Sequence, residues 1–490
     1  MRRLGFWLPP IATLALAAGC ALGPDYHRPK QEVPENYRFE ENAAPNSFAD
    51  QAWWHVYQDA TLQALLRDAL AHNIDVRVAA TRVEQAGAVV GFTRLQQLPQ
   101  ASVSFAAERQ RSSQYTLPPG AAPIGNLFSA QGSLSYEIDF WGKYRRASEA
   151  ARAQLLSSEF AREDVMAGLI AGVATSYFTL QALDEQVAIT QRTIESRQKF
   201  VQLTEGQHDR GTVSGLDVAT AQAQLATAEA NLPDLQRQIA QLEDQLSVLL
   251  GHNPATILRN ADGALKRMEE PDLPPVPPAG LPSTLLERRP DVREAEQALV
   301  AANAQVGVAK ANLFPTITLT AAGGSVSSAL SNLFTAPAKA WSAAGSVLQP
   351  LLDPQRSLYQ LDLADAQKRQ ALLEYDGRVR TAFQEVSDAL IARQKYAEVE
   401  HALQNGVDAQ RRATTIALAR YRVGSASYFD VINADRDLFA AELTLSTANL
   451  NTLLSVVQLY RALGGGWQDP PAAETEAAQT STAGHAAAPH

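Results

Sequence analysis

Residues 211–218 read Gly-Thr-Val-Ser-Gly-Leu-Asp-Val, and residues 424–431 read Gly-Ser-Ala-Ser-Tyr-Phe-Asp-Val. Each stretch begins with a glycine and then carries Ser and Asp three residues apart, which predicts a tight turn followed by a helix that starts with a capping box. The offset of 213 continues downstream, where Gly251 matches Gly464. The chain therefore contains the same helix–turn–helix segment twice.

A second set of matches extends the duplication toward the N-terminus. At a constant offset of 216, Asp75 matches Asp291 and Pro99 matches Pro315. Two collinear sets of matches indicate an internal repeat rather than a chance similarity. The predicted boundaries are a first repeat at 58–270, a Pro-rich linker at 271–282 and a second repeat at 283–464.

Each repeat also contains two segments in which apolar and polar residues alternate. In the first of them Ala101, Val103 and Phe105 alternate with Ser102 and Ser104, and this period of two is typical of a strand with one apolar face. The sequence therefore predicts four strands in the chain, at 99–113, 129–141, 314–324 and 341–350.

Long helical segments fill the rest of each repeat. The predicted helices are 142–207 and 216–250 in the first repeat, and 354–422 and 428–463 in the second. Between Leu232 and Leu249 leucine and isoleucine recur at alternating steps of three and four, the seam of a coiled coil. A helix of roughly 66 residues would extend about 100 Å, so helices of this length must pack against similar neighbours.

The two ends of the chain predict its compartment. Arg2 and Arg3 precede a short apolar run that ends in Ala17-Ala18-Gly19-Cys20, as in a secretory signal at 1–19. Small residues before a cysteine indicate a lipoprotein signal, so Cys20 is the predicted lipidation site at the start of an anchored segment, 20–57. The tail 469–490 is predicted to be disordered.

Four amphipathic strands cannot close a membrane barrel by themselves. A barrel needs at least 8 strands, because an open edge is not tolerated in lipid, so the chain is predicted to oligomerise. Two, three or four copies would give about 8, 12 or 16 strands, and the pattern does not choose among them. Removing the signal changes the formal net charge from −10 to −12, which argues against a nucleic-acid partner.

Four further motifs stand out in the sequence: Cys20–Tyr26 with Arg28-Pro29, Trp53-Trp54, Asp139–Gly142 and Leu281–Val292. Together they resemble the NodT branch of the TolC superfamily of outer-membrane efflux lipoproteins, and the match extends from Cys20 to about Trp467. The resemblance implies a homotrimer whose twelve-stranded β-barrel lies in the outer-membrane lipid and continues as a long α-helical coiled-coil tunnel in the periplasm. It also implies a gate at the periplasmic tip, a periplasmic adaptor protein, and an inner-membrane transporter of the resistance–nodulation–division class. The implied function is a passive exit channel for drugs or other small solutes.

The two glycine-led turns are the candidate site. A capping box is predicted in each turn, formed by Ser214 with Asp217 and by Ser427 with Asp430. The resemblance adds a gating role, and the capping boxes are predicted with or without it. The gate residues that it implies are Asp430, Asp217, Tyr421 and Arg422, and the implied adaptor-contacting residues are Gly211, Ser214, Gly424 and Ser427. The family has a second acidic gate residue one turn after the first, and in this sequence that position is occupied by Asn433. The arginine that locks the gate in relatives falls on Ala426, so Arg422, Arg420 or neither takes its place.

No motif predicts an enzyme, a cofactor or a metal site. The chain has no nucleophile motif or phosphate loop. Its eight histidines show no metal-ligand spacing; they are residues 27, 55, 72, 208, 252, 401, 485 and 490. The main alternative to a channel is a lipid-anchored coiled-coil adaptor without a pore. The amphipathic strands favour the channel, because an adaptor has no use for a strand face that ends in Tyr136 and Phe140.

Overall fold

A computed structural model describes residues 21–39, 50, 52, 56, 59–113, 115–120, 122–257, 282–349 and 354–466. The predicted signal, Cys20, Trp53-Trp54, the linker as far as residue 281 and the tail lie outside the described residues. Within the described residues the elements are, in order, α1 (Ala60–His72), α2 (Ile74–Leu95), β1 (Gln100–Arg111), β2 (Ile124–Glu137), α3 (Lys143–His208), α4 (Gly215–Leu249), α5 (Pro282–Arg288), α6 (Pro290–Ala311), β3 (Thr316–Ser327), β4 (Lys339–Leu348), α7 (Pro354–Arg422) and α8 (Tyr428–Ala462).

The internal repeat is visible in these bounds. Helices α2 and α6 start and end 216 residues apart, as do β1 and β3, whereas α4 and α8 start and end 213 residues apart. The predicted mainly α fold with four strands and very long helices is confirmed. Helix α3 contains a stretch apolar enough to cross a membrane, but 56% of it is buried inside the protein, as in a core helix.

The four strands form one antiparallel sheet in the order β1-β2-β3-β4. The register places Phe105 opposite Ala130 and Gly323 opposite Trp341, on a face that is apolar along most of its length and becomes polar at one end, where Ser325 pairs with Lys339. The other face is mainly polar, and on it the Ser102 and Ser133 hydroxyls lie 2.7 Å apart. Phe105 is 75% and Trp341 84% exposed, so the apolar face has no cover within the described residues.

Strand ends differ from the predicted bounds where tertiary contacts intervene. Strand β2 starts five residues earlier and ends four residues earlier than predicted. Its end is explained locally, because the Asp139 carboxylate accepts the backbone N–H groups of Tyr144 and Arg145 at the start of α3. Strand β3 runs past the predicted residue 324. Gly324 remains paired with Gln131 of β2, and a Cβ at this position would collide with the Ala130 carbonyl. Because glycine has no side chain, the apolar–polar alternation is interrupted here although the backbone pairing continues.

The chain forms two compact units, and each takes segments from both repeats. The first comprises the described parts of Met1–Lys30, Arg82–Glu159 and Glu294–Asp376, including the sheet. Within it the N-terminal segment is held by backbone and side-chain contacts: Leu22 N donates to the Trp141 carbonyl at 3.0 Å, and Arg146 Nη2 donates to Asp25 at 2.7 Å.

The second unit comprises the described parts of Gln31–Thr81, Phe160–Arg293 and Gly377–His490. Its fully buried side chains include Leu66, Tyr177 and Tyr460. The Tyr177 hydroxyl donates to Asp59 at 2.9 Å, and the same carboxylate caps α1 by accepting the N–H groups of Thr61 and Leu62. This unit contains both glycine-led turns.

Candidate functional site

The first tip turn (residues 207–217) and the second tip turn (residues 420–430) end their helices in the same way. Gly211 has φ +73° and Gly424 has φ +74°, a conformation that glycine adopts without steric cost. In the second tip turn the N–H of Gly424 donates to the Tyr421 carbonyl at 2.9 Å, and the N–H of Ser425 donates to the Arg420 carbonyl at 2.8 Å. These paired hydrogen bonds form a Schellman motif, which satisfies the last carbonyls of the helix; the first tip turn has the same pair.

Each tip turn then starts the next helix with the predicted capping box. In the second tip turn the Asp430 carboxylate accepts the Ser427 backbone N–H at 3.0 Å, and the Ser427 hydroxyl accepts the Asp430 N–H at 3.3 Å. The hydrogen bonds from Ser427 hold the pKa of the Asp430 carboxyl below its usual range. Their contribution to stability is therefore full above the unfolded pKa of the carboxyl, and it is lost as the pH falls through the folded pKa.

An aromatic cluster lies beside the tip turns and joins helices from both repeats. Phe200 of α3 stacks on Tyr428 of α8, with ring centroids 5.1 Å apart and an interplanar angle of 7°. Tyr421 of α7 packs against both rings, and its hydroxyl donates to Gln207 Oε1 at 2.6 Å. Burial, and then the negative charge of Asp217, raise the pKa of the Tyr421 hydroxyl. Two predicted gate residues, Asp217 and Tyr421, are thus close enough to interact.

A cavity of about 200 Å³ opens next to this cluster. The buried Arg197 guanidinium lines it and donates to Asp435 at 2.8 Å and to the Gln224 carbonyl at 2.7 Å. Tyr428 lines the cavity as well, and within the described residues neither Arg197 Nη2 nor the Tyr428 hydroxyl has a hydrogen-bond partner. Arg422 also lines this cavity.

The other candidate gate residues lie on the surface of the turns. Asp430 and Arg422 are exposed. Arg420 donates to the Ser425 carbonyl at 3.3 Å, within its own turn. Ala426, the position at which the family resemblance implies a locking arginine, is half-buried. A single chain therefore shows the caps and the aromatic cluster, while a ring of Asp430 carboxylates would need further copies.

The Arg288–Asp291 block, which carries much of the family resemblance, forms a buried ion pair. Arg289 donates to Asp291 at 2.9 and 2.8 Å, lies 2.6 Å from Glu385 and donates to the Ala462 carbonyl at 3.0 Å. Burial opposes ionisation of both groups, but their hydrogen bonds and mutual charge outweigh it. The pKa of Arg289 is therefore raised and that of Asp291 lowered.

The structure also brings together a group that the sequence analysis missed. Asp68, His72 and His252 each offer one possible metal-ligand atom, and these three atoms lie within 4.8 Å of one another. The spacing of the histidines alone does not indicate this group, because its local pair joins a carboxylate to an imidazole: Asp68 and His72 lie four residues apart on α1 and share one helix face. The third ligand comes from a turn 180 residues later in the chain, and no local pattern indicates it.

Comparisons with known proteins agree with this architecture. Residues 65–252 and 281–465 match the model of the family described as outer membrane efflux protein, in two segments that correspond to the two repeats. The chain is 34% identical over 477 residues to the probable efflux pump outer membrane protein TtgC of Pseudomonas putida, covering 96% of this chain and 97% of TtgC. It is 32% identical to the probable outer membrane lipoprotein SilC of Salmonella typhimurium, covering 93% of this chain and 98% of SilC.

A solved structure has the same fold. The open state of the Neisseria gonorrhoeae MtrE outer membrane channel superimposes with a TM-score of 0.81 at 29% identity, covering 92% of this chain and 99% of MtrE. The repeat, the amphipathic sheet, the capped helical hairpins and these matches together lead to one conclusion: the chain belongs to the outer membrane efflux protein family.

Proposed function

We propose that three copies of this chain form the exit channel of a tripartite efflux system in the outer membrane. The observation that carries the proposal is the four-stranded sheet with one exposed apolar face. Within the described residues β1 and β4 each pair with one neighbour only, so the sheet has two open edges. Joining these edges between three copies gives a barrel of about 12 strands, which is wide enough to leave a lumen.

A deletion strain tests the channel function. We expect it to accumulate substrates of the partner pump, and the effect should be measured as intracellular dye or drug retention in a host that lacks all related ducts. Plasmid-borne protein should restore export, and purified protein should insert into planar bilayers as a channel of low conductance. Failure to restore export in that host, despite correct insertion, would contradict the proposed function.

We infer that the signal 1–19 is removed and that Cys20 then carries a lipid. The N-terminal segment supports this inference, because Ala21 packs so closely on Gly142, which follows β2, that a Cβ on Gly142 would lie 2.7 Å from the Ala21 Cα. The first described residue, which directly follows Cys20, therefore lies near the end of a strand of the amphipathic sheet. A lipid on Cys20 would be attached next to the sheet that is proposed to span the membrane.

The Cys20→Ser variant is expected to lose fatty-acid labelling. It should still assemble, because the barrel provides its own hydrophobic attachment to the membrane. Metabolic labelling with palmitate, compared at equal expression, measures the effect. Ser47→Ala, a substitution of another small residue in the N-terminal region, serves as the control and should be labelled as wild type. Unchanged labelling of Cys20→Ser would exclude lipidation at Cys20.

The tip turns are the proposed contact surface for a periplasmic adaptor, which in turn engages an inner-membrane transporter of the resistance–nodulation–division class. Both turns are exposed and closely similar in backbone, from Gly211 to Ser214 and from Gly424 to Ser427. Their Schellman and capping-box hydrogen bonds fix the backbone of both turns, which suits a surface that must dock repeatedly. The channel selects little by itself, and conduction through it is proposed to be passive.

The same turns are the proposed gate. Three Asp430 carboxylates around a threefold axis would form a narrow ring that attracts cations and disfavours full ionisation. Tyr421 and Asp217 support the closed arrangement through the aromatic cluster. Arg422 is a better candidate for the locking cation than Arg420, because Arg420 is already hydrogen-bonded within its own turn.

Asp430→Ala is expected to lower cation selectivity and to weaken block by divalent or trivalent cations, because it removes three charges from one mouth. Single-channel recording in planar bilayers measures both. Asp217→Ala is the comparison variant for the proposed ring of Asp430 carboxylates, since Asp217 is not a member of that ring and the substitution removes a carboxylate from the same kind of capping box. Equal stability losses in both variants, with conductance and cation block unchanged, would leave Asp430 as a helix cap only.

A further inference from the structure

The cluster of Asp68, His72 and His252 lies in the second unit, among residues with no assigned role in conduction or gating. His72 Nδ1 lies 2.8 Å from Asp68 Oδ1, and His252 Nε2 lies 2.8 Å from Asp68 Oδ2. The two imidazole centroids are 5.4 Å apart. One carboxylate thus lies between two imidazoles that belong to distant parts of the chain.

We propose that Asp68, His72 and His252 bind a divalent transition-metal ion of the Zn²⁺, Cu²⁺ and Ni²⁺ class. Two imidazoles and one carboxylate are ligands that these ions prefer, and the absence of sulfur from this trio disfavours soft monovalent ions. Ligand atoms on one tetrahedral zinc ion lie roughly 3.3 Å apart. In this cluster each imidazole nitrogen lies 2.8 Å from an oxygen of Asp68, and the three possible ligand atoms lie within 4.8 Å of one another. These separations bracket the spacing around a bound ion.

The backbone that presents these ligands is tightly held. Gly251 has φ +79°, and a Cβ at this position would collide with the carbonyl group of His72. Asn73 Nδ2 also donates to the Leu249 carbonyl at 2.9 Å. The turn that carries His252 is therefore fixed against the end of α1, and metal binding would require little reorganisation of the main chain.

The second repeat shows that the histidines are not needed for this packing. There Gly464 has φ +81° and approaches Arg288 and Arg289, and Arg289 donates to the Ala462 carbonyl at 3.0 Å. The same contacts occur in the first repeat. At the offset of 213 Gly251 and Leu249 match Gly464 and Ala462, and at the offset of 216 His72 and Asn73 match Arg288 and Arg289. The repeat equivalents of Asp68, His72 and His252 are Thr284, Arg288 and Gly465, so the fold builds the same junction without any of the three ligands.

Solvent reaches the cluster directly. The side chains of His72 and His252 are 57% and 49% exposed, and that of Asp68 is 35% exposed. This exposure provides an entry path for an ion and leaves its remaining coordination positions to water, as in an open zinc site. A bound ion would link the end of α1 to the turn after α4, the start and the end of the first repeat.

Zinc titration of the full chain, purified in detergent with a tag that contains no histidine, tests the proposal. We expect one Zn²⁺ per chain by calorimetry, and a loss in affinity of at least about 100-fold in the His72→Ala/His252→Ala variant, since even changes outside the ligand set cost about 10–100-fold. His401→Ala, which removes an exposed histidine on α7, should bind as wild type. With Cu²⁺, electron paramagnetic resonance should show two nitrogen ligands in wild type and one in His252→Ala.

A second double variant controls for misfolding. His72→Arg/His252→Gly installs the residues that the second repeat carries at the equivalent positions, so the junction should fold while zinc affinity falls as in the alanine variant. Zinc should raise the thermal transition of wild type and not that of either double variant. Binding that persists in the double variants, or a wild-type protein that binds no more zinc than they do, would leave the cluster as a hydrogen-bonded contact only.

Discussion

Replacing Arg289 by alanine is expected to lower the free energy of unfolding by about 3–5 kcal/mol, the cost of breaking a buried ion pair by removing one partner. The loss is large because Asp291, whose side chain is 12% exposed, would keep a buried charge without its main partner. The Ala462 carbonyl would lose its donor as well. Urea titration in detergent, at matched protein concentration because assembly contributes to stability, measures the effect.

An exposed arginine provides the control for this prediction. Arg411 of α7 reaches Glu442 of α8 at 2.8 Å, but its side chain is 53% exposed, and surface pairs contribute about 0–1 kcal/mol. Arg411→Ala should therefore shift the urea midpoint only slightly. If Arg289→Ala and Arg411→Ala lower the free energy of unfolding by similar amounts, burial of the Arg289–Asp291 pair does not make its loss more costly than that of a surface pair.

Acidification should affect the same pair. Because the folded pKa of Asp291 is lowered, its contribution to stability is present above the unfolded pKa of the carboxyl and is lost as the pH falls through the folded value. The Asp291→Asn variant cannot lose stability in this way, because the asparagine side chain does not titrate. The difference in stability between wild type and Asp291→Asn should therefore shrink as the pH is lowered into the acid range.

Phe105→Arg should block or strongly weaken membrane assembly. Phe105 lies near the middle of β1 on the exposed apolar face, and an arginine on the lipid face of a barrel costs about 2–4 kcal/mol at the bilayer midplane. Each trimer would carry this cost three times. The measurement is the fraction of protein that refolds into lipid vesicles, scored by protease resistance.

The neighbouring residue supplies a matched control. Ser104 lies opposite Gln131 on the polar face of the same strand, so Ser104→Arg places the same charge toward the proposed lumen. We expect Ser104→Arg to assemble as wild type. If both variants assemble equally well, or both fail, the assignment of the apolar face to lipid is wrong.

Much of this architecture could be predicted from the amino-acid sequence. The repeat at offsets of 216 and 213, the four alternating segments, the long helices and both capping boxes depend on residues that are neighbours along the chain. Local sequence carries such features directly, because helix caps are formed by residues three apart and strand faces by alternate residues. Family resemblance then added the trimer, the membrane and the candidate gate.

Tertiary structure decided what depends on residues far apart in the chain. Strand β2 ends at Glu137 because Asp139 caps the next helix, and β3 continues through Gly324 because its partner β2 lies against it. Arg289 acquires its role from Glu385 and Ala462, residues roughly 100 and 170 positions away. His72 and His252 meet only because the turn after α4 returns to the end of α1. Contacts of this kind are set by how the chain closes on itself, and neither composition nor periodicity encodes which distant residues will meet.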